Sequence, residues 1–479
     1  MSIPVITVAQ MREWEKVTWA SGQTEDAVMR QAGRAIARQA EQLTRPGELI
    51  VVLAGKGHNG DDACYAAEYL SGREVKTFRI TDPDTASKTI GPVLDQKPAL
   101  VIDGLFGIGL NRPLAARWIN LIRQVNQAKQ PTLSVDVPSG LNADTGMPLD
   151  DAIHATWTVT LAAVKHGLLK STAWPFVGRL FVAPDIGLVP YPFETEIRML
   201  VPEDFADFPP ARPPGGHKGT FGHLAIIAGS VGYHGAAVLA ARGAQRAQPG
   251  LITLFIDERI YEPVAQQLQS VMVQPWPAKP KLPESCTAVL FGPGLASPTL
   301  RESVKQFCQD LWQESALPVI ADASGLDWLP PGPCLENTLR VITPHPGEAA
   351  RLLKKSTGDV QADRFLALRD LSKRFGHCQV VLKGYQTVIG SHEPEAFVNS
   401  SGNPYLAQGG SGDLLAGFLG GLLAQPALQK EMTQTICYAV WQHGAAADAL
   451  LATRPNWTVE ELADVLGSVP AQPAISPPA

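Results

Sequence analysis

Gly409, Gly410, Ser411, Gly412 and Asp413 stand in a row, and an apolar run over residues 414–423 follows at once. A glycine-rich turn that feeds a helix offers backbone N–H groups and the positive end of the helix dipole, which together seat a phosphate. A carboxylate in that place repels phosphate. Asp413 therefore makes sense as the acceptor of a proton from a hydroxyl that attacks the phosphate. The plainer alternative is a first-turn acid that complements the dipole.

A second set of candidates lies nearer the N-terminus. Gly55-Lys56-Gly57-His58-Asn59-Gly60-Asp61-Asp62 follows the β-branched run 49–54 and leads into a helical run over 63–70. It is not a Walker loop, because the Gly-Lys-Ser/Thr ending is missing, and it is not the usual dinucleotide fingerprint. Two later strand-like runs deliver an aspartate at their carboxyl ends, Asp103 and Asp136, with small residues after each, including Ser139. Ends of parallel strands lie side by side, so Asn59, Asp103, Asp136 and Ser139 are expected to converge on one pocket. Their oxygens suit a hard cation rather than zinc. The alternative for each is a turn cap.

In the C-terminal half, strand-like runs again end in small or polar groups: Gly292-Pro293-Gly294, Asp322-Ala323-Ser324-Gly325, and Lys383-Gly384-Tyr385-Gln386-Thr387. His345 stands between Pro344 and Pro346, whose fixed φ stiffens the backbone and makes this histidine a candidate ligand contact. Glu348 falls in the first turn of the next helical run. It either complements the dipole or organises magnesium and phosphate, in part through water.

Such residues need a scaffold that brings strand ends together. Residues 9–43 read as helical, first with a stripe of Met11, Trp14, Val17 and Trp19, then with a run opened by Thr24 and closed by Pro46-Gly47. Strands are expected at 49–54, 99–102, 132–135 and 157–161, and then at 223–228, 251–256, 288–291, 319–321, 341–343 and 380–382. They alternate with helical stretches, which is α/β patterning with a mostly parallel sheet. Eight prolines between residues 184 and 214 break regular structure, and the domain boundary is placed near Thr195. With 479 residues there is room for two or three domains. The net charge of −6 argues against bulk nucleic-acid binding. Six scattered cysteines without a Cys-x-x-Cys pair read as reduced thiols. Neither a secretory signal nor a membrane span is apparent.

Residues from about 11 to about 189 resemble the NAD(P)H-hydrate epimerase (YjeF N-terminal) family, whose loop is usually Gly-x-Gly-Asn-Asn-Gly-Gly-Asp-Gly. Here His58 replaces an asparagine, and Asp61 and Ala63 replace glycines. The resemblance implies potassium at Asn59, Asp103 and Ser139. It implies substrate contacts at His58, Asn59, Gly60, Asp61, Asp62 and Asp136, and along Gly107, Ile108, Gly109, Leu110, Asn111, Arg112 and Pro113. Asp136 is the expected acid/base group.

Residues from about 202 to about 466 resemble the ADP- or ATP-dependent NAD(P)H-hydrate dehydratases. That resemblance implies that Ala236, Gly294, His345 and Asp413 touch the hydrated nicotinamide nucleotide. Lys383, Gly384, Tyr385, Gln386 and Thr387, with Gly409, Gly410, Ser411 and Gly412, would hold ADP or ATP. Glu348 would serve Mg2+.

The fold class implied is α/β in two domains. Residues 1–195 form a Rossmann-like three-layer YjeF-N sandwich, and residues 196–479 form a ribokinase-like parallel-sheet domain. A cytoplasmic homo-oligomer, tetrameric or larger, with neither nucleic-acid nor membrane partners, is also implied. Two alternatives stand beside this: a ribokinase-like small-molecule kinase, and an N-terminal domain that is a non-catalytic binding or scaffold module.

Overall fold

The computed structural model describes residues 2–277 and 279–471. The chain divides into two compact units, one spanning Ile3–Glu196 and the other beginning at Ile197. The N-terminal unit is built on six parallel strands in the order Glu74–Arg79, Leu49–Ala54, Leu100–Gly104, Thr132–Val135, Trp157–Leu161 and Arg179–Ala183. The central strands are apolar until their carboxyl ends, where Asp103 stands, because both of their faces are covered. On one face, Val51, Leu53 and Val101 pack with Ile90, Leu121 and Ile122 from the helices Pro83–Leu94 and Ala116–Ala128. Elsewhere in the unit the helices Glu25–Leu43 and His58–Tyr69 approach closely. A Cβ on Gly33 would lie only 2.4 Å from that of Tyr65.

The first helix, Val8–Ala20, is opened by a capping box between Thr7 and Gln10. It buries Met11, Trp14 and Thr18, whereas Val17 is exposed. A threonine thus takes the place in the stripe expected for Val17, and its hydroxyl is satisfied by the Trp14 carbonyl at 2.9 Å. The stretch 58–62, read as loop, is already helical, because the helix begins at His58 with Gly57 as its N-cap. This tight entry needs Gly60, where a Cβ would sit 2.2 Å from the Gly55 carbonyl oxygen.

In the C-terminal unit seven parallel strands run in the order Met272–Pro275, Leu251–Ile256, His223–Ile227, Ala288–Phe291, Val319–Ala321, Arg340–Ile342 and Gln379–Leu382. An antiparallel hairpin, Val388–Gly390 and Ala396–Val398, extends the sheet, and Ile197–Met199 joins parallel to its outer strand. Four of these strands (Met272–Pro275, Ile197–Met199 and the hairpin) are absent from the sequence reading. They are three or four residues long and carry too little alternation to show.

The helix that starts at the glycine turn, Ser411–Leu423, packs along His234–Ala247 with almost no space between the backbones. A Cβ on Gly417 would fall 1.8 Å from the Ala240 carbonyl oxygen, and one on Gly243 would fall 2.1 Å from that of Leu414. All six cysteines are free thiols. No described helix is long and apolar enough to cross a membrane.

Candidate functional site

The N-terminal unit carries a cleft of about 640 Å³ at the carboxyl ends of its strands, a size suited to a small ligand. His58, Asn59, Asp62, Gly107, Ile108, Gly109, Leu110, Asn111, Arg112 and Asp136 line it. Gly60, Asp61 and Pro113 do not. Asp61 turns outward to Arg79, 2.5 Å away, and so adds no side-chain bulk to the cleft wall.

Below the cleft, Asp103 is fully buried. It accepts from Ser134 Oγ (2.8 Å), Ser139 N–H (2.9 Å) and Ser139 Oγ (2.6 Å). Burial nevertheless holds its carboxyl above the ordinary range, against the pull of the serine hydrogen bonds. Asn59 donates to the Phe106 carbonyl at 3.0 Å, and Ser139 Oγ lies 3.2 Å from the same oxygen. Asp103, Ser139 and the Phe106 carbonyl thus form one oxygen-rich cluster, which Asn59 joins through its amide nitrogen. A buried acid in such a cluster fits a hard cation.

Asp136 occupies the left-handed region (φ 63°). Its Oδ1 accepts from Thr160 Oγ1 and Leu161 N–H, each at 3.0 Å, and from Lys165 Nζ at 2.5 Å. Lys165 is wholly buried. The sequence reading missed it, although a lone lysine after the apolar run Val159–Val164 is a signal, since a buried cation requires a partner.

At the C-terminal site Ala236 meets Gly294, His345 meets Glu348, and Lys383 meets Asp322 and Gly412. A Cβ on Gly294 (φ 66°) would come within 2.9 Å of the Ala236 side chain, so these two backbones meet. His345 caps the helix Pro346–Leu353. Its Nδ1 accepts from the Gly347 and Glu348 N–H groups (3.0 and 3.3 Å), and its own N–H donates to Glu348 Oε2 at 2.7 Å. Lys383 donates to Asp322 Oδ1 at 2.8 Å. Its Nζ lies 3.2 Å from where a Cβ on Gly412 would stand.

Asp413, the third residue of its helix, has its carboxyl pushed up to about 7. Burial is the main cause, the negative charges of Asp322 and Glu348 add to it, and Lys383 opposes them. The helical ladder begins with Leu414 N–H to the Gly410 carbonyl (3.0 Å), so the Gly412 and Asp413 amides lie ahead of it. Ser411 has both of its donor groups engaged within the unit. Its N–H meets the Gln408 carbonyl at 3.3 Å, and its hydroxyl meets His443 Nε2 at 3.3 Å.

Arg364, which sequence gave no reason to single out, is buried beneath the Lys383–Thr387 turn. It donates to the carbonyls of Leu382 (2.9 Å), Tyr385 (2.6 Å) and Gln386 (3.0 Å). Asp322, visible as another strand-end aspartate, is the ion-pair partner of Lys383, and its negative charge is one of those that raise Asp413.

These two α/β units, the second with a ribokinase-like fold and a half-buried acid beside a glycine-rich helix start, define a two-domain enzyme. The NAD(P)H-hydrate dehydratase family matches residues 224–466, and the YjeF-related protein N-terminus family matches residues 25–90 and 76–167. The bifunctional NAD(P)H-hydrate repair enzyme Nnr of Gloeobacter violaceus is 35% identical, over 99% of this chain and 98% of that one. The Escherichia coli enzyme of the same name is 31% identical over 90% and 86%. The ADP/ATP-dependent NAD(P)H-hydrate dehydratase of Bacillus subtilis, co-crystallised with ATP and Mg2+, has a TM-score of 0.51 at 29% identity, covering 56% of this chain and 96% of that one. The chain belongs to the family of bifunctional NAD(P)H-hydrate repair enzymes.

Proposed function

We propose that the N-terminal unit interconverts the two C6 epimers of hydrated NADH and NADPH, and that the C-terminal unit restores the dinucleotide from one of them at the expense of ADP or ATP. The observation that carries the dehydratase reading is Asp413, half-buried, poised near neutrality and set beside the Gly412 amide. Hydroxide leaves the hydrated ring poorly, and phosphate leaves well. Asp413 takes the C6 hydroxyl proton as its oxygen attacks the terminal phosphoryl group, and the Gly412 and Asp413 amides steady the charge on that group. The phosphate then departs with the C6–O bonding pair, the ring nitrogen pushes from behind, and a C5 proton is lost.

Lys383, tied to Asp322, suits the nucleotide phosphates, and Arg364 holds the Lys383–Thr387 turn in shape. Glu348, close enough to raise the carboxyl of Asp413, suits Mg2+, which when bound neutralises phosphate charge. In the N-terminal unit Asp136 works on the C6 hydroxyl. Asn59, Asp103 and Ser139 suit potassium, which when bound meets the buried charge beneath the cleft. The assembly we propose is a cytoplasmic homo-oligomer of four or more copies, to be checked by light scattering.

The test is near-UV absorbance on a mixture of both hydrate epimers with Mg2+, K+ and ADP, comparing the wild type with Asp136→Ala. The wild type should restore the whole pool quickly, and the variant should stall after one epimer. A wild type that stalls part-way removes the epimerase reading. A stable phosphorylated product without phosphate release removes the dehydratase reading.

A further inference from the structure

The cleft of the N-terminal unit holds more acid than Asp136. Asp62 lines it from the helix His58–Tyr69, and Glu15 lines it from the helix Val8–Ala20. Asp62 is 7% exposed, and its Oδ1 is buried without a hydrogen-bond partner. An ionised carboxylate with an orphaned inner oxygen is expensive to hold, whereas a neutral carboxyl there is not, and it presents an O–H donor. Asp136 is the complement: a carboxyl whose Oδ1 already accepts from three donors, the buried Lys165 among them.

The charges around the pair are these. Burial holds the Asp62 carboxyl well above the ordinary range, and the negative charges of Asp136, Asp61 and Glu15 reinforce this while Lys165 opposes it. Glu15 is itself raised by burial and by Asp136, against Lys165, His58 and Arg12. Glu25, Lys56, Arg112 and Arg117 complete the charged groups of the wall outside these couplings.

We propose that Asp62 is a second catalytic residue of this cleft, a neutral carboxyl that gives and retrieves a proton while Asp136 takes and returns one, and that Glu15 is a positioning residue that keeps Asp62 neutral. The proposal rests on the epimerase reading above. The C6 hydroxyl of the hydrated ring sits on a carbon bonded to N1, so C6 is a carbinolamine carbon. Asp136 removes the hydroxyl proton. The oxygen lone pair forms the C6=O bond, the C6–N1 bond breaks, and its electron pair goes to N1, which takes the proton of Asp62. The ring-opened aldehyde rotates. N1 then attacks the other face of the carbonyl, returns its proton to Asp62, and the alkoxide recovers its proton from Asp136. No atom is gained or lost, and no oxidant is needed. Transfer of both protons in one step uses an acid and a base at once, which the pair Asp62 and Asp136 supplies.

The experiment follows the conversion of the R hydrate to the S hydrate by chromatography, on the full chain with K+ and without adenine nucleotide, so that the C-terminal unit is idle. The wild-type rate should fall as pH rises through the titration of Asp62. Asp62→Asn should lose about 10²–10⁴-fold and with it that alkaline limb. Glu15→Gln takes away a negative neighbour and should move the limb to lower pH, a shift that a merely structural role would not produce. If Asp62→Asn fails to fold by thermal unfolding, the limb in Glu15→Gln decides alone. A wild type that converts R to S while Asp62→Asn keeps its rate within threefold overturns this proposal and leaves the epimerase reading standing. An unmoved limb in Glu15→Gln does the same to the role of Glu15. A wild type that does not convert R to S at all overturns both.

Discussion

In the proposed mechanism a single titration, that of Asp413, governs dehydration. Its carboxyl is held near 7 by burial and by Asp322 and Glu348. A base must be ionised to work, so dehydration measured as kcat/KM should climb with pH through about 7 and level off above it. Asp322→Asn removes one of the charges that raises Asp413, and the climb should move to lower pH. An unmoved profile would show that the two carboxylates are not coupled. Asp413→Asn should lower turnover by about 10²–10⁴-fold while ADP still binds, which equilibrium dialysis would show. The same residue also affects stability. Its folded value lies above the unfolded one, so the native state holds the extra proton, and stability falls as pH rises from about 4 through 7. Asp413→Asn should flatten that slope in denaturant titrations.

At the scale of elements, the glycines between Ser411–Leu423 and His234–Ala247 set where Asp413 stands. The Gly417 position faces the Ala240 carbonyl so closely that a methyl group must push the helices apart. Gly417→Ala should cost about 1–3 kcal/mol by urea unfolding. It should also slow dehydration, because the Gly412 and Asp413 amides move with their helix. An unchanged midpoint would mean that the pair has slack which the packing does not show. Arg364 acts on an element in a different way, through three carbonyls of the turn that follows Gln379–Leu382. Arg364→Met should raise the KM for ADP without a matching fall in kcat for the bound state. A fall in kcat alone would place Arg364 in the chemistry instead.

At the scale of the whole molecule, each unit carries its own core and its own cluster of ionisable groups. Lys165→Met leaves Asp136 without its buried cation, and breaking a buried pair costs about 3–5 kcal/mol. Epimerisation should fail and the N-terminal unit should melt at lower temperature, while pure S hydrate is still dehydrated at close to the wild-type rate. A variant that loses both activities together would show that the units fold as one.

Much of this protein was legible in one dimension. Apolar runs of four to six residues ending in Gly, Asp or Ser announced a parallel sheet. The reason is that strands covered on both faces must be apolar along their length and can turn polar only where they leave the sheet. Asp136, Asp103 and His345 fall at such exits, whereas Asp413 is marked by the glycine-rich start of an apolar helix. What the sequence could not decide was which buried groups meet across elements. Lys165 reaches Asp136 from 29 residues away, Lys383 reaches Asp322 from 61, and Arg364 lies under a turn about 20 residues ahead of it. The direction of a side chain within a turn was equally hidden. Asp61 and Asp62 are neighbours in sequence, yet one pairs with Arg79 outside the cleft and the other is buried in its wall. Adjacent residues on a helix point about 100° apart. Only the packing of the helix on its sheet decides which of two aspartates faces water and which is left to hold a proton.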